Sequence, residues 1–412
     1  MMRCTRWLVL AAILAAAAVR ATVTGDFTAE QQSNTLTVLQ AFAGAIPELQ
    51  STWSGSDFCS WGGVTCAVSS VRVAGINAMY AGTLPEMPAG VDYTNVMITH
   101  LDFTTMGRGL SGTLPNSWAI LKRLQQVYMQ RTSVSGTLPT EWSSMSALTY
   151  VVLFSTQMSG SLPPEWSSLQ SLRLLDMSNT QLSGTLPPEW SSMSALEQLV
   201  LTTTRVSGTL PPEWGSQKSL QALYMWNSQM SGTLPLEWGS LQSLQALYMS
   251  NTQISGTLPP EWSSMSALTY VVLFSTQMSG SLPPEWSSLQ LLRLLDMSNT
   301  QLSGTLPPEW SSMSSLEQLV LTTTRVSGTL PPEWSSMTSA EVIALISCDL
   351  FGALPSSWSV IPRLRDLSLK GNSFCGCVPA SWASKPGLVV SIEDEHMGND
   401  CTTENICPTT TT

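Results

Sequence analysis

Leu172–Ala195 reads LRLLDMSNTQLSGTLPPEWSSMSA, and this wording returns along most of the chain. Glycines of the motif [ST]-G-[TS]-L-P stand at Gly112, Gly136, Gly160, Gly184, Gly208, Gly232, Gly256, Gly280, Gly304 and Gly328, each 24 residues from the last. Gly352 and Gly376 continue the interval, the second between Cys375 and Cys377. Self-similarity at a fixed period of this size is the mark of a stacked array, so the repeat decides the architecture. Inside one unit, Leu175 and Met177 alternate with polar neighbours, which predicts a short strand. The Gly-Thr-Leu-Pro corner then turns the chain. Pro187-Pro188-Glu189-Trp190 restarts it as a short helical or 3₁₀ turn, with proline where a missing N–H is harmless.

Such a coil buries its apolar residues only against its neighbours, so stability is a nearest-neighbour property. The pattern L-x-x-L-x-L-x-x-T-x-L is that of a leucine-rich repeat. The expected fold class is an α/β repeat solenoid, a right-handed coil of 24-residue units with a parallel sheet on the concave face and disulfide-stabilised caps. About thirteen coils are expected, the first two irregular and one carrying a Gly107-Arg108-Gly109 bulge; at ~4.8 Å per strand the stack is about 60 Å long. Residues 141–214 recur at 261–334 with two changes, Ser171 to Leu291 and Ala195 to Ser315, so the array contains a duplication at five-coil spacing. The ninth position, usually asparagine in such repeats, holds Thr132, Thr156, Thr180, Thr204, Thr252, Thr276, Thr300 and Thr324, with Ser228 once and Asn372 last. A hydroxyl both donates and accepts, which predicts a threonine ladder satisfying buried backbone groups. Cys348 falls in this column and is expected to be a buried ladder thiol.

The ends differ from the array. Arg3 and Arg6 precede an apolar run from Trp7 to Val19, with small residues around Val19-Arg20-Ala21, the layout of a secretory signal peptide. Its removal takes three arginines and moves the net charge from -11 to about -14. A polyanion is a poor partner for nucleic acid. No other stretch is long enough to span a bilayer. Cys59 and Cys66 lie near one end and Cys375, Cys377, Cys401 and Cys407 near the other, the pattern of a capped array in an oxidising compartment. The last four allow three pairings, of which crossed bridges, Cys375–Cys401 and Cys377–Cys407, are favoured. The expected organisation is a signal peptide at 1–21, an N-terminal cap at 22–70, the array at 71–387, a C-terminal cysteine cap at 388–408 and a threonine-rich tail at 409–412. In the first cap, Thr28 to Leu49 reads as an amphipathic helix with Leu36, Leu39, Phe42 and Ile46 on one side.

Two resemblances follow from particular wording. The Trp53-x5-Cys59-x-Trp61-Gly62-Gly63-Val64-Thr65-Cys66 segment resembles the N-terminal cap of plant-type leucine-rich-repeat proteins, which implies a Cys59–Cys66 disulfide. The Leu-Pro-Pro-Glu-Trp-Ser-Ser-Met unit, with the threonine column and Thr409–Thr412, looks like the promastigote surface antigen family of trypanosomatid parasites. That resemblance implies an abundant surface or shed glycoprotein tied to host-cell attachment and complement resistance. The chain departs from the anchored form, whose longer threonine-rich stalk and hydrophobic tail direct a GPI anchor; no such signal stands before Thr412, so a secreted or cell-surface product is expected. No N-x-[ST] sequon occurs. The terminal threonines are candidates for O-linked sugar.

Nothing in the sequence spells catalysis, a cofactor or a metal centre. His100 and His396 lack partner patterns, and Glu393-Asp394-Glu395-His396 reads as a solvated acidic segment. No nucleophile elbow or phosphate loop occurs. Glutamates recur at Glu141, Glu165, Glu189, Glu213, Glu237, Glu261, Glu285, Glu309 and Glu333; a stripe at coil spacing could attract cations or basic partners, but the favoured reading is that each complements the start of its turn. The ligand-binding candidates are on the strand face. Side chains at the third, fifth and seventh positions point away from the core, and they include Tyr128, Tyr150, Phe154, Tyr224, Trp226, Tyr248, Tyr270 and Phe274. Packing does not require apolar residues there, so aromatic ones invite a binding role, although cross-strand pairing also favours them. The expected function is a non-enzymatic adhesin whose partner is a host protein, a macrophage receptor or complement component. An inhibitor of the plant leucine-rich-repeat type and a passive coat are the alternatives, and near-identical halves favour an avid or passive role.

Overall fold

The computed structural model describes residues 26–397 and Cys407. The signal segment, Cys401 and the terminal threonines lie outside them. Helix α1 spans Ala29–Ala45, and Thr28 caps it: its hydroxyl accepts from the Gln31 N–H while the Gln31 side chain accepts from the Thr28 N–H. Val38, Leu39, Phe42 and Ile46 are fully buried against the first coil. The expectation of one helix to Leu49 was too long. Pro47 disfavours helical backbone in the residue before it, and Ile46 is extended at φ -123, ψ 93. A separate short helix, Leu49–Thr52, follows. Cys59 and Cys66 are bonded.

The concave sheet has 15 strands, Val64–Ala67 through Val389–Ser391. Its first pair is antiparallel; every later pair is parallel. Coils stack in strict register, Leu175 beside Leu199 and Leu223, so equivalent positions form straight rows across the molecule. Main-chain bonds continue the register past the strands, as in Asn227 N–H to Ser250 O at 3.0 Å and Asn251 N–H to Phe274 O at 3.0 Å.

A second sheet, of 13 strands, runs along the neighbouring flank. The Gly-Thr-Leu-Pro wording predicts a corner over this stretch. In the structure, Gln181–Thr185 and its equivalents are strands. The glycine concealed them, because it is a turn signal in sequence but here serves close approach. At Gly232 φ is +76, and a Cβ would meet Thr209 Cγ2 at 2.7 Å. Between the glycines, serine hydroxyls tie the coils, Ser255 Oγ donating to Gly232 O at 3.3 Å.

On the third side each Pro-Pro-Glu-Trp segment is a 3₁₀ turn, such as Pro260–Ser264. Its tryptophan does two things. From Trp118 to Trp382 the twelve indoles are almost completely buried, and neighbours such as Trp238 and Trp262 stack at 6.3 Å. Each N–H also finds an acceptor one coil back, as Trp262 Nε1 does on Pro235 O at 2.9 Å. A buried indole needs such a partner, and the repeat supplies it at a constant separation.

The threonine column is buried, but it works within a coil. Thr180 Oγ1 donates to Met177 O at 2.8 Å and Thr252 Oγ1 to Met249 O at 2.7 Å. Asn372 has the longer reach: its amide donates to Leu369 O in its own coil and to Leu345 O in the preceding one, each at 2.7 Å. Cys348 is a free buried thiol in the column, 3.3 Å from Thr324 Oγ1.

The C-terminal cap corrects one expectation. Cys375 is bonded to Cys407, not to Cys401. Cys377 is also disulfide-bonded, so the favoured crossed arrangement is not the one formed. Spacing alone carried no information about which of four neighbouring cysteines face each other. His396 also differs from expectation: it is 2% exposed, with Nδ1 2.9 Å from Gly376 O, and packs inside the cap instead of standing in a solvated run.

Candidate ligand-binding face

Strand geometry puts the third, fifth and seventh residues of each coil on the concave surface. All eight aromatic candidates are there. Tyr150 and Tyr270 occupy the third row, Tyr128, Tyr224 and Tyr248 the fifth, and Phe154, Trp226 and Phe274 the seventh. Trp226 alone is exposed, at 38%. The other seven are half-buried, which is less open than the sequence suggested.

The register divides them into two groups. Tyr128, Tyr150 and Phe154 lie on consecutive coils near the N-terminal half. Tyr224, Trp226, Tyr248, Tyr270 and Phe274 lie on consecutive coils further on, where Tyr224 and Tyr248 stack at 5.2 Å. Burial, then the neighbouring Tyr224 and Tyr270, push the Tyr248 phenol well above its ordinary range. The Tyr224 and Tyr248 hydroxyls therefore stay protonated and available to donate at physiological pH. Three packed tyrosines beside an exposed tryptophan present rigid amphipathic area that loses little side-chain entropy on binding.

Sequence reasoning passed over two carboxylates on this face. Asp176 and Asp296 stand in the fifth row between valines, Val152 and Val200 in one case and Val272 and Val320 in the other. Each accepts from the N–H and hydroxyl of the serine two residues on, Asp296 from Ser298 N–H at 3.0 Å and its Oγ at 2.6 Å. Desolvation raises both above the ordinary carboxylate range, against the pull of those bonds. The signal available in sequence was the lone acid among valines at the same place in both copies. Around these sites, Arg173 pairs with Glu197 at 2.5 Å and Arg293 with Glu317 at 2.6 Å, both along the exposed sheet edge.

The remaining candidates make no acid–base or nucleophilic constellation. The nine recurring glutamates are all exposed at the starts of their turns. His100 Nδ1 lies 2.7 Å from Thr99 Oγ1, and burial followed by Arg72 lowers its pKa. Burial raises the Cys348 thiol, which opposes nucleophilic reactivity. Two shallow grooves of about 410 and 510 Å³ flank the concave sheet at duplicated positions, lined by threonine, asparagine and glutamine with Arg205 in one and Arg325 in the other. Among the described residues, no group of three or more His, Cys, Asp or Glu side chains is placed to hold a metal ion, and no helix is long and apolar enough to cross a membrane.

Known proteins share the repeat and its N-terminal cap. The profile of the leucine rich repeat N-terminal domain matches residues 31–67, and that of the leucine rich repeat matches 171–193, 243–265 and 291–313. Surface membrane glycoprotein GP46/M-2 of Leishmania amazonensis is 55% identical over 145 residues, a match covering 32% of this chain and 30% of the glycoprotein. Among solved structures, the plant peptide hormone receptor RGFR1 in complex with RGF2 superposes with a TM-score of 0.68 at 22% identity, over 81% of this chain and 64% of the receptor. The Arabidopsis receptor kinase HAESA ectodomain, solved with an IDA peptide hormone, gives 0.64 at 22% identity, over 88% and 73%. The Leptospira interrogans protein LIC12759 gives 0.61 at 23% identity, over 79% and 85%. At these identities the three structures establish a common fold.

Proposed function

We propose that this leucine-rich-repeat protein, a relative of the surface antigens of trypanosomatid promastigotes, works outside the cell by binding host protein through its concave face. Catalysis has no part in this reading. The observation that carries it is the run of Tyr224, Tyr248 and Tyr270 on adjacent coils with Trp226 exposed beside them. Tryptophan and tyrosine dominate the energetics of protein interfaces, and a parallel sheet holds them in fixed rows. A net charge of -11 favours approach by partners with basic surfaces. The partner class we propose is a macrophage surface receptor or a complement component, in keeping with the surface location of the Leishmania relative.

The test is capture from solubilised macrophage surface protein and from serum, using the whole chain and a Tyr224→Ala/Trp226→Ala variant side by side. The variant is expected to lose at least tenfold in retained partner. Equal capture by the two would overturn the concave-face assignment. No capture by either would favour a passive coat, which the near-identity of residues 141–214 and 261–334 also suits.

A further inference from the structure

The line where the concave sheet gives way to the second sheet is a trough. The grooves of about 410 and 510 Å³ are stretches of it. The first runs from Thr156 to Asn227; the second starts on the next coil, at Thr252, and reaches Arg325. Its floor is the almost buried ninth-position column from Thr156 to Thr324. One wall is the eighth-position row from Ser155 to Thr323, which is serine, asparagine or threonine throughout. The other is the tenth-position row from Gln157 to Arg325, exposed on every coil. Seven coil steps of ~4.8 Å make the trough roughly 34 Å long.

The lining limits the occupant. The eighth-position N–H groups already donate to the next coil, as Asn179 does to Thr202 O at 2.8 Å and Asn251 to Phe274 O at 3.0 Å. An extended peptide therefore finds no free main-chain edge on that wall, and no apolar residue lines either groove to receive its side chains. What the walls offer is side-chain amide and hydroxyl, which donate and accept alike. That is the complement of a hydroxyl-rich chain. Charge enters at two places. From Gln157 to Arg325 the tenth-position row is glutamine except at Arg205 and Arg325, which are five coils, or about 24 Å, apart. Arg173 and Arg293 are each paired with a glutamate, whereas among the described residues neither Arg205 nor Arg325 has a carboxylate partner. No carboxylate lines either groove. The recurring glutamates start the 3₁₀ turns, on the third side of the coil.

We propose that this trough binds a linear polysaccharide bearing sparse carboxylate groups, its hydroxyls bonded along the amide and hydroxyl walls and one carboxylate on each arginine. The guanidinium fork matches a carboxylate bidentately. Sparse charge follows from the chain's own acidity, since a net charge of -11 repels a densely charged polyanion. Two arginines give a long saccharide two anchors and a short one a single anchor, so affinity rises with length. The trough is separate from the aromatic rows, and the assignment goes beyond the protein-binding reading without depending on it.

The probe is a hyaluronan dodecasaccharide titrated calorimetrically into the whole chain at physiological salt. Beside it run a hyaluronan tetrasaccharide, too short to reach both arginines, and the dodecasaccharide with its carboxylates reduced to alcohols. The dodecasaccharide is expected to bind, and each of the other two to be at least tenfold weaker. Arg205→Gln/Arg325→Gln installs the residue that the same row holds on the coils between them, so it is expected to keep the parent's denaturant midpoint while losing at least tenfold in dodecasaccharide affinity. Arg173→Gln, outside the trough, is expected to bind as the parent does. Absence of dodecasaccharide binding, equal binding by the reduced or the short form, or parental binding by the double variant would overturn the trough. Those results would leave the capture experiment with Tyr224→Ala/Trp226→Ala untouched, so failure of the trough and failure of the concave face are told apart.

Discussion

Backbone conformation at single residues explains much of the repeat's composition. The eighth residue of each coil turns out of the concave strand with positive φ: Asn179 at 55, Asn227 at 56, Asn251 at 55 and Asn299 at 54. Asparagine tolerates this region, but Thr203 and Thr323 occupy it at 57 and 58, where a β-branched side chain is strained. Thr203→Asn is therefore expected to stabilise the fold by up to ~1 kcal/mol, part of the cost of left-handed backbone in an ordinary residue, read as a raised denaturant midpoint. Asp296 supplies a second expectation at this scale. Burial raises its folded pKa above that of the unfolded chain, so the folded state binds the proton more tightly. Stability is then greatest below the ordinary carboxylate pKa of 3.8 and falls as pH rises through the raised value. Asp296→Asn should be more stable than the parent at pH 7, and the gap should close below about pH 3.8.

At the scale of the element, the 3₁₀ turn and its tryptophan are the unit of cohesion. Proline stands immediately before each of these 3₁₀ turns and fixes φ there, and the turn closes with the N–H of the residue after it on the tryptophan carbonyl, as Met265 N–H does on Trp262 O at 2.9 Å. The indole fills the coil and bonds the coil before it. These contributions separate by substitution. Trp262→Phe keeps a buried ring but leaves Pro235 O without its donor, an expected loss of ~1–3 kcal/mol. Trp262→Ala also opens a cavity, raising the loss to about 3–5 kcal/mol. Because coils touch only their neighbours, faster amide exchange in either variant should centre on residues 235–286 and spare the caps. Uniform loss of protection throughout the chain would contradict the nearest-neighbour picture. Much of this element was legible beforehand. A tryptophan every 24 residues in an apolar column is a core column, and doubled prolines before it specify a helical start. Its hydrogen bond was not legible, because the acceptor sits one coil back and only stacking brings it near. The second sheet was hidden for the related reason that Gly232 and its equivalents read as corners until the preceding coil's threonine is seen against them.

For the whole molecule, the duplication makes a direct test of modularity. Deleting residues 155–274 joins Phe154 to Ser275 in register and removes five coils, since residues 141–214 and 261–334 differ at only two positions. The shortened chain is expected to fold, with a denaturant m-value lower by about a third, in proportion to the surface exposed on unfolding. It loses Tyr224, Trp226, Tyr248, Tyr270 and Phe274 and keeps Tyr128, Tyr150 and Phe154, so it should retain at least tenfold less partner in the capture experiment. By itself the sequence determined the array: a strict 24-residue period can be satisfied only by identical coils stacked on one another, and the period, the buried columns and the disulfide-capped ends are all local in the chain. The two-sheet arrangement, the Cys375–Cys407 pairing and the division of eight aromatics into two groups came only with the tertiary structure. Each depends on which residues of different coils share a row. In one group Arg131 lays its guanidinium over Phe154 and in the other Asn251 stands in that column, a difference that acquires meaning once register sets each beside its phenylalanine.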